Sequence, residues 1–220
     1  MPFSLSNCKK VILVVDDELS TFKGIQRICQ NSPVELHYFD KRCDLFAWLR
    51  AHYTPLVYER MACCLILDIR FGDVCAEADL RAVWECCSTI YLSRRLLDTH
   101  HLDACNNERF EFIQKPFRLD RMRMALESLF LSRARQLEVK DKFDKLTKRE
   151  LETCQLMARG FSSQEISQTM GISLKTVKVH RANLMNKIKA KSVAELIRDY
   201  DLFSTFSGQV SLAAYPHLCA

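Results

Sequence analysis

"CCLILDIRFGD", residues 63–73, runs apolar for five positions and then sets a carboxylate, Asp68, where a buried strand should be emerging. Four other short apolar runs have the same β-rich character: "VILVV" (11–15), "VELHYF" (34–39), "TIYLS" (89–93) and "FEFIQ" (110–114). The stretches between them read as helices. "ELSTFKGIQRICQ" spaces Leu19, Phe22, Ile25 and Ile28 on one face, and "DLFAWLRAHY" does the same with Leu45, Trp48 and Leu49. Strands alternating with helices predict an α/β fold, a doubly wound five-stranded parallel sheet whose ligands bind at the carboxyl ends of the strands.

Those ends carry polar groups. Asp16 and Asp17 follow the first strand, Asp68 ends the third, Ser93 ends the fourth, and "QKPF" with Lys115 follows the fifth. Clustered carboxylates repel one another unless a hard cation sits among them, and oxygen-only ligation suits Mg²⁺. An ammonium such as that of Lys115 neutralises charge on a phosphoryl group, and the Ser93 hydroxyl can bond one of its oxygens. Asp68 is then free to act as a nucleophile that forms an aspartyl phosphate. A single Asp after a strand is more often a turn former. The joint placement of all five groups is what favours chemistry.

Charge divides the chain. Residues 1–130 hold 17 Lys+Arg against 18 Asp+Glu, whereas residues 131–220 hold 15 against 9, so the second part is basic and suits a polyanionic partner. No apolar run approaches the roughly 20 residues that span a bilayer, and "MPFSLSNCKKVILVVDDE" breaks its apolar run with acids, so a cytoplasmic protein is expected. The eleven cysteines show no CxxC spacing and are expected to pack as small hydrophobes.

Residues 9 to about 130 resemble the receiver domain of two-component response regulators, a flavodoxin-like fold. The resemblance rests on the acid pair, Asp68, Ser93 and Lys115-Pro116. It implies that Asp68 accepts a phosphoryl group from a sensor histidine kinase. Asp16, Asp17, Asp68 and the Arg70 carbonyl would then hold Mg²⁺, and Ser93, Lys115 and Phe112 would fill the phosphate-switch positions. The sequence departs from the family at Phe71, Gly72 and Asp73, where most members read Met-Pro-Gly. It departs again at Arg94, a bulky cation in place of a small residue, which is expected either to act as a gate to the pocket or to stand in for the phosphate charge.

From Arg118 an amphipathic helix with Met122, Leu126 and Leu129 inward becomes almost wholly charged, and this end is expected to be a partly helical, charged linker, 131–144. Beyond it "TKRE" (147–150), "SSQE" (162–165) and "SVAE" (192–195) fit the capping box that opens a helix. Gly160 and Gly171 suit helix ends, and Ser173 can cap the helix after Gly171. Four helices follow, at roughly 147–158, 163–170, 174–188 and 193–200. The second and third, joined by "MGIS", form a helix-turn-helix. On the reading helix Val177, Leu184 and Ile188 face inward, and Lys175, Lys178, Val179, Ala182 and Asn186 face outward. Lys175, Thr176, Lys178, Val179 and Ala182 are therefore expected to meet DNA, with Arg181 and Lys187 on backbone phosphates. His180 lies near the core face.

This region resembles the LuxR-type helix-turn-helix of NarL/FixJ response regulators, and "KTVKVHRANLMNKI" is especially similar to the FixJ branch. By that resemblance part of the apolar surface of Val193, Leu196 and Ile197 on the last helix pairs two copies; packing inside the unit's own core is the alternative. The expected organisation is a receiver (1–130), the linker (131–144), a DNA-binding domain (145–202) and a tail (203–220) without a counterpart. The protein is then expected to be a transcriptional regulator, not an enzyme. Its partners would be double-stranded promoter DNA with paired half-sites, the kinase, RNA polymerase and a second copy of itself, with no membrane. A receiver that dimerises without phosphate is the alternative. A thiol-based redox regulator is a reading of a different class.

Overall fold

In the computed structural model residues 9–58, 61–68, 87–94 and 110–207 are described. Five strands, β1 (Lys9–Val15), β2 (Val34–Phe39), β3 (Met61–Asp68), β4 (Cys87–Ser93) and β5 (Phe110–Gln114), form one sheet of order β2-β1-β3-β4-β5. Every pairing is parallel. The inner strands have no solvent face: β3 is buried at all eight positions and β1 at all but Lys9. Their sequences accordingly read as continuous apolar runs rather than alternations. The edge strand β2 is half-buried along most of its length, and its Glu35 bonds Lys9 of β1 at 2.7 Å.

Helix α1 (Leu19–Cys29) turns Ile25 and Ile28 inward, and α2 (Arg42–Tyr58) turns Leu45 and Leu49 inward. Leu19 is exposed, so the expected face of α1 starts one turn later, and Phe22 is half-buried. Trp48 lies flat on His52 with ring centres 4.2 Å apart. Arg70 and Phe71–Asp73 lie outside the described residues.

Helix α3 (Leu119–Phe143) is helical through the charged stretch, where a partly helical linker is expected. Met122, Leu126 and Leu129 join the sheet's core as expected, together with Ala125 and Phe130. The stripe continues through the buried Arg133 and Gln136 to Val139 and Phe143. Its spacing stays at three and four residues throughout, which a composition reading misses because two positions are polar.

The chain divides into two compact units, with the boundary after Ala134. The second unit contains α4 (Lys148–Ala158), α5 (Ser163–Met170), α6 (Leu174–Ile188) and α7 (Val193–Ser207). Its core joins Val139 and Phe143 to Cys154, Met157, Ile166, Val177, Leu184, Ile188 and Leu196. Thr147 and Ser162 make complete capping boxes with Glu150 and Glu165. In the third box Ser192 caps the Glu195 amide, but the Glu195 carboxylate reaches back to the Lys191 amide instead. Gly160 and Gly171 have positive φ, as their positions required, and Lys189 takes the same left-handed conformation after α6. Helix α7 runs seven residues past the expected end at 200, because Phe203 stacks on Phe143 with centroids 4.6 Å apart.

Among the described cysteines Cys29, Cys63, Cys64, Cys87 and Cys154 are buried and only Cys43 is exposed. Burial pushes the Cys29 thiol up to about 11 and that of Cys154 up to about 12. Burial holds Cys64 well above its ordinary value, and contact with the Cys63 thiol together with burial does so for Cys87. Thiolate is the reactive form, so these groups behave as packing residues. Iodoacetamide applied to the native protein at pH 7.5 should modify Cys43 and spare these four, as peptide mass mapping would read; modification of Cys64 or Cys154 without unfolding would overturn this assignment.

Candidate functional site

Strand register builds the first site. Val15 is level with Leu67, Asp68 with Leu92, and Ser93 with Gln114. Asp16, Asp68, Ser93 and Lys115 therefore emerge together at the carboxyl edge of the sheet. The backbone is tied there as well: the Asp16 carbonyl accepts from the Tyr38 hydroxyl at 2.8 Å, and the Lys115 amide donates to the Ser93 carbonyl at 2.7 Å.

Asp16 and Asp68 are buried, with 0% and 1% of their surface exposed. The Lys115 ammonium, itself buried, donates to Asp16 Oδ2 at 2.6 Å and to Asp68 Oδ2 at 2.7 Å. Asp17 is exposed, and one oxygen from each of Asp16, Asp17 and Asp68 falls within 4.8 Å of the others. Three convergent carboxylates of which two are buried are a donor set for a hard divalent cation.

Two residues that sequence reasoning passed over complete the site. Glu18 extends the acid run; its amide donates to Asp16 Oδ1 at 2.9 Å, and its carboxylate lies 3.8 Å from the Lys115 ammonium and pairs with Arg94. The contiguous Asp16-Asp17-Glu18 run was the available signal. Arg94 lines a cleft with Glu18, Ser20, Thr21, Lys115 and Phe117. Tyr91 is the second: it lies opposite Phe112 in register and stacks on it, with ring centres 5.1 Å apart and planes 15° from parallel. Phe112 keeps 37% of its surface exposed.

The second site is the face of α6. Val177, Leu184 and Ile188 are fully buried, whereas Lys175, Lys178, Val179, Ala182 and Asn186 are exposed. Thr176 is half-buried and its amide and hydroxyl both bond Ser173, so it serves the cap. His180 is half-buried. Arg181 donates to the Ser163 hydroxyl at 2.6 Å, in the first turn of α5.

One sequence expectation, that for Leu196, is corrected here. Lys187 is 37% exposed and donates to Glu150 at 2.7 Å and to the Lys145 carbonyl at 3.3 Å. Leu196 has no exposed surface and belongs to the unit's own core, which removes it from any pairing face. Val193 is 40% exposed and Ile197 half-buried.

Comparison with known proteins agrees with both sites. Residues 144–199 match the family described as bacterial regulatory proteins, luxR family. The tetrathionate response regulatory protein TtrR of Salmonella typhimurium is 32% identical over 196 residues, covering 86% of this chain and 91% of that protein. The response regulator protein TodT of Pseudomonas putida is 27% identical over 205 residues, covering 88% and 86%. The chain belongs to the NarL/FixJ family of response regulators. It is a DNA-binding response regulator of a two-component system, and a transcription factor rather than an enzyme. Among solved structures, the response regulator StyR is 26% identical with a TM-score of 0.43, covering 88% of this chain and 99% of that one. No described helix is long and apolar enough to cross a membrane.

The Glu150 anchor in this regulator titrates. Burial pushes its carboxyl up, but the bonds from Lys187 and from the Thr147 amide and hydroxyl outweigh burial and hold it below its ordinary 4.5. A depressed carboxylate contributes stability above its unfolded value and loses it as pH falls through the folded one. Glu150→Gln should therefore cost about 1–3 kcal/mol at pH 7. The difference from the native chain should shrink as pH falls below 4.5, as urea unfolding followed by circular dichroism would show; a difference that does not change with pH would exclude the charge as the cause.

Proposed function

We propose that Asp68 is the phosphoacceptor, and that its phosphorylation by a sensor histidine kinase controls pairing of two copies and binding of promoter DNA in the cytoplasm. The observation that supports this best is the Lys115 ammonium held between Asp16 and Asp68 beside a third carboxylate. In the transfer one Asp68 oxygen attacks the phosphorus of a phosphohistidine, a P–O bond forms, the P–N bond breaks, and the imidazole nitrogen leaves with the electron pair. Lys115 stands within reach of the phosphoryl oxygens and offsets their charge. Asp16, Asp17 and Asp68, with the Arg70 carbonyl, would hold Mg²⁺, which supplies charge neutralisation when bound. Ser93 and Phe112 would then respond to the new charge, and the Tyr91 ring is what Phe112 must leave in order to move.

For DNA, Lys175 and Lys178 supply charge, and Val179 and Ala182 supply apolar surface, on one exposed helix face. Arg181 sits beside a helix N-terminus, where phosphate is favoured. Lys187 acts indirectly, by fixing the start of α4. Val193 and Ile197 are the pairing residues that remain after Leu196 is removed. RNA polymerase is a further partner of any such regulator acting at a promoter.

The reading has a direct test. Acetyl phosphate with Mg²⁺ should label the native protein, and labelling should fail without the metal and in Asp68→Asn. A native protein that is never labelled yet sediments as a dimer would replace this reading with a constitutive dimer, which Arg94 and Lys115 favour by already balancing part of the acid charge. On the DNA side, affinity should fall steeply with salt because phosphate contacts release counterions. Lys178→Ala should weaken a specific site more than random DNA if the lysine reads a base, as a filter-binding titration against salt would measure.

A further inference from the structure

The sheet order shows what the Arg94–Glu18 pair crosses. Strands β1 and β4 are not neighbours, because β3 lies between them. Arg94 follows the end of β4 and Glu18 follows the end of β1, so their ion pair spans the end of β3, where Asp68 is the last residue. Lys115 lies beneath the same span, with Glu18 3.8 Å from its ammonium and Asp68 at 2.7 Å. Two carboxylates and two cations thus form a chain, Asp68 to Lys115 to Glu18 to Arg94. The outer pair is the more open: the Arg94 side chain is 57% exposed and that of Glu18 is 30%, against 7% for Lys115.

We propose that the Glu18–Arg94 pair is a latch across the mouth of the phosphoacceptor pocket, whose opening limits the rate at which phosphoryl groups arrive at and leave Asp68. The inference rests on Asp68 being the phosphoacceptor and adds the residues that set its access. Labelling by acetyl phosphate forms an Asp68 O–P bond and breaks the P–O bond to acetate, which leaves with the electron pair. In the reverse loss, water attacks phosphorus, the Asp68–P bond breaks, and inorganic phosphate and a free carboxylate remain. The donor and the water must each pass the same pair. A latch therefore slows both reactions together and leaves the attainable level of phosphorylation unchanged.

That signature separates a latch from a charge partner. If Arg94 instead neutralised the bound phosphoryl group, its loss would slow labelling and speed hydrolysis. The half-exposed pair is also open to screening by salt, whereas Lys115 is not.

The experiment is pulse labelling of the full chain with acetyl phosphate and Mg²⁺, followed by a chase that measures phosphate loss. Arg94→Ala, Glu18→Gln and the double variant are each compared with the native protein. Each single variant should raise both rates by a similar factor, several-fold. The double variant should raise them no further, and raising the salt concentration should speed the native protein but not the variants. Thermal melting of each variant confirms that it is folded. Labelling at native rates in all three variants would overturn the latch while leaving Asp68 as the phosphoacceptor. A rise in hydrolysis with a fall in labelling would also overturn it. Absence of labelling in every protein would sink the phosphoacceptor reading, and the latch with it.

Discussion

One ammonium group holds the carboxyl edge of the sheet together. Lys115 Nζ lies within hydrogen-bond distance of two buried carboxylates that come from strands β1 and β3, and it reaches them from the far edge strand. Two carboxylates in a dry pocket oppose each other strongly, and removing the partner of such a buried charge generally costs about 3–5 kcal/mol. The lysine cannot be moved without moving strands, because its own amide is bonded to the Ser93 carbonyl. The charge balance is thus inherited from backbone register. A one-residue slip of β5 would turn Lys115 to the other face of the sheet and leave both acids exposed to each other.

The helical unit uses its cations in two ways. Arg181 and Lys187 both point back at the first turn of another helix, a position where a positive charge opposes the helix dipole. Lys187 avoids that conflict because Glu150 intervenes, and Arg181 lessens it through a neutral hydroxyl. Each therefore fixes the angle between helices, while Lys175 and Lys178 remain on the outer face. The division between inward and outward cations follows from which helix end lies beside them. A count of basic residues does not reveal it.

That distinction marks how much was legible in the sequence. The order of elements and the strand-end acids could be read because buried parallel strands give unbroken apolar runs, and because Asp68 and Lys115 interrupt those runs at their ends. The capping boxes could be read because the chemistry of a helix start is local, within four residues. Long-range pairing could not. Nothing adjacent to Glu18 announces Arg94, 76 positions later, and nothing near Lys187 announces Glu150. An apolar residue such as Leu196, between Val193 and Ile197, has the same signature whether it faces its own core or another chain. In the helix from Leu119 to Phe143 composition hides the inner face for the opposite reason: Arg133 and Gln136 are buried at positions where an apolar side chain is the usual occupant.

The formal charges at the pocket give the departures from the family pattern a physical meaning. Among the described residues Asp16, Asp17, Glu18 and Asp68 carry four negative charges, and Lys115 with Arg94 carries two positive ones. An excess of acid of this kind suits a divalent cation. A small residue in place of Arg94 would enlarge that excess by one charge. Arg94 and Glu18 therefore act as one unit. The arginine offsets the outer acid, the acid holds the arginine across the end of β3, and the inner Asp16–Lys115–Asp68 group stays as balanced as it would be without either.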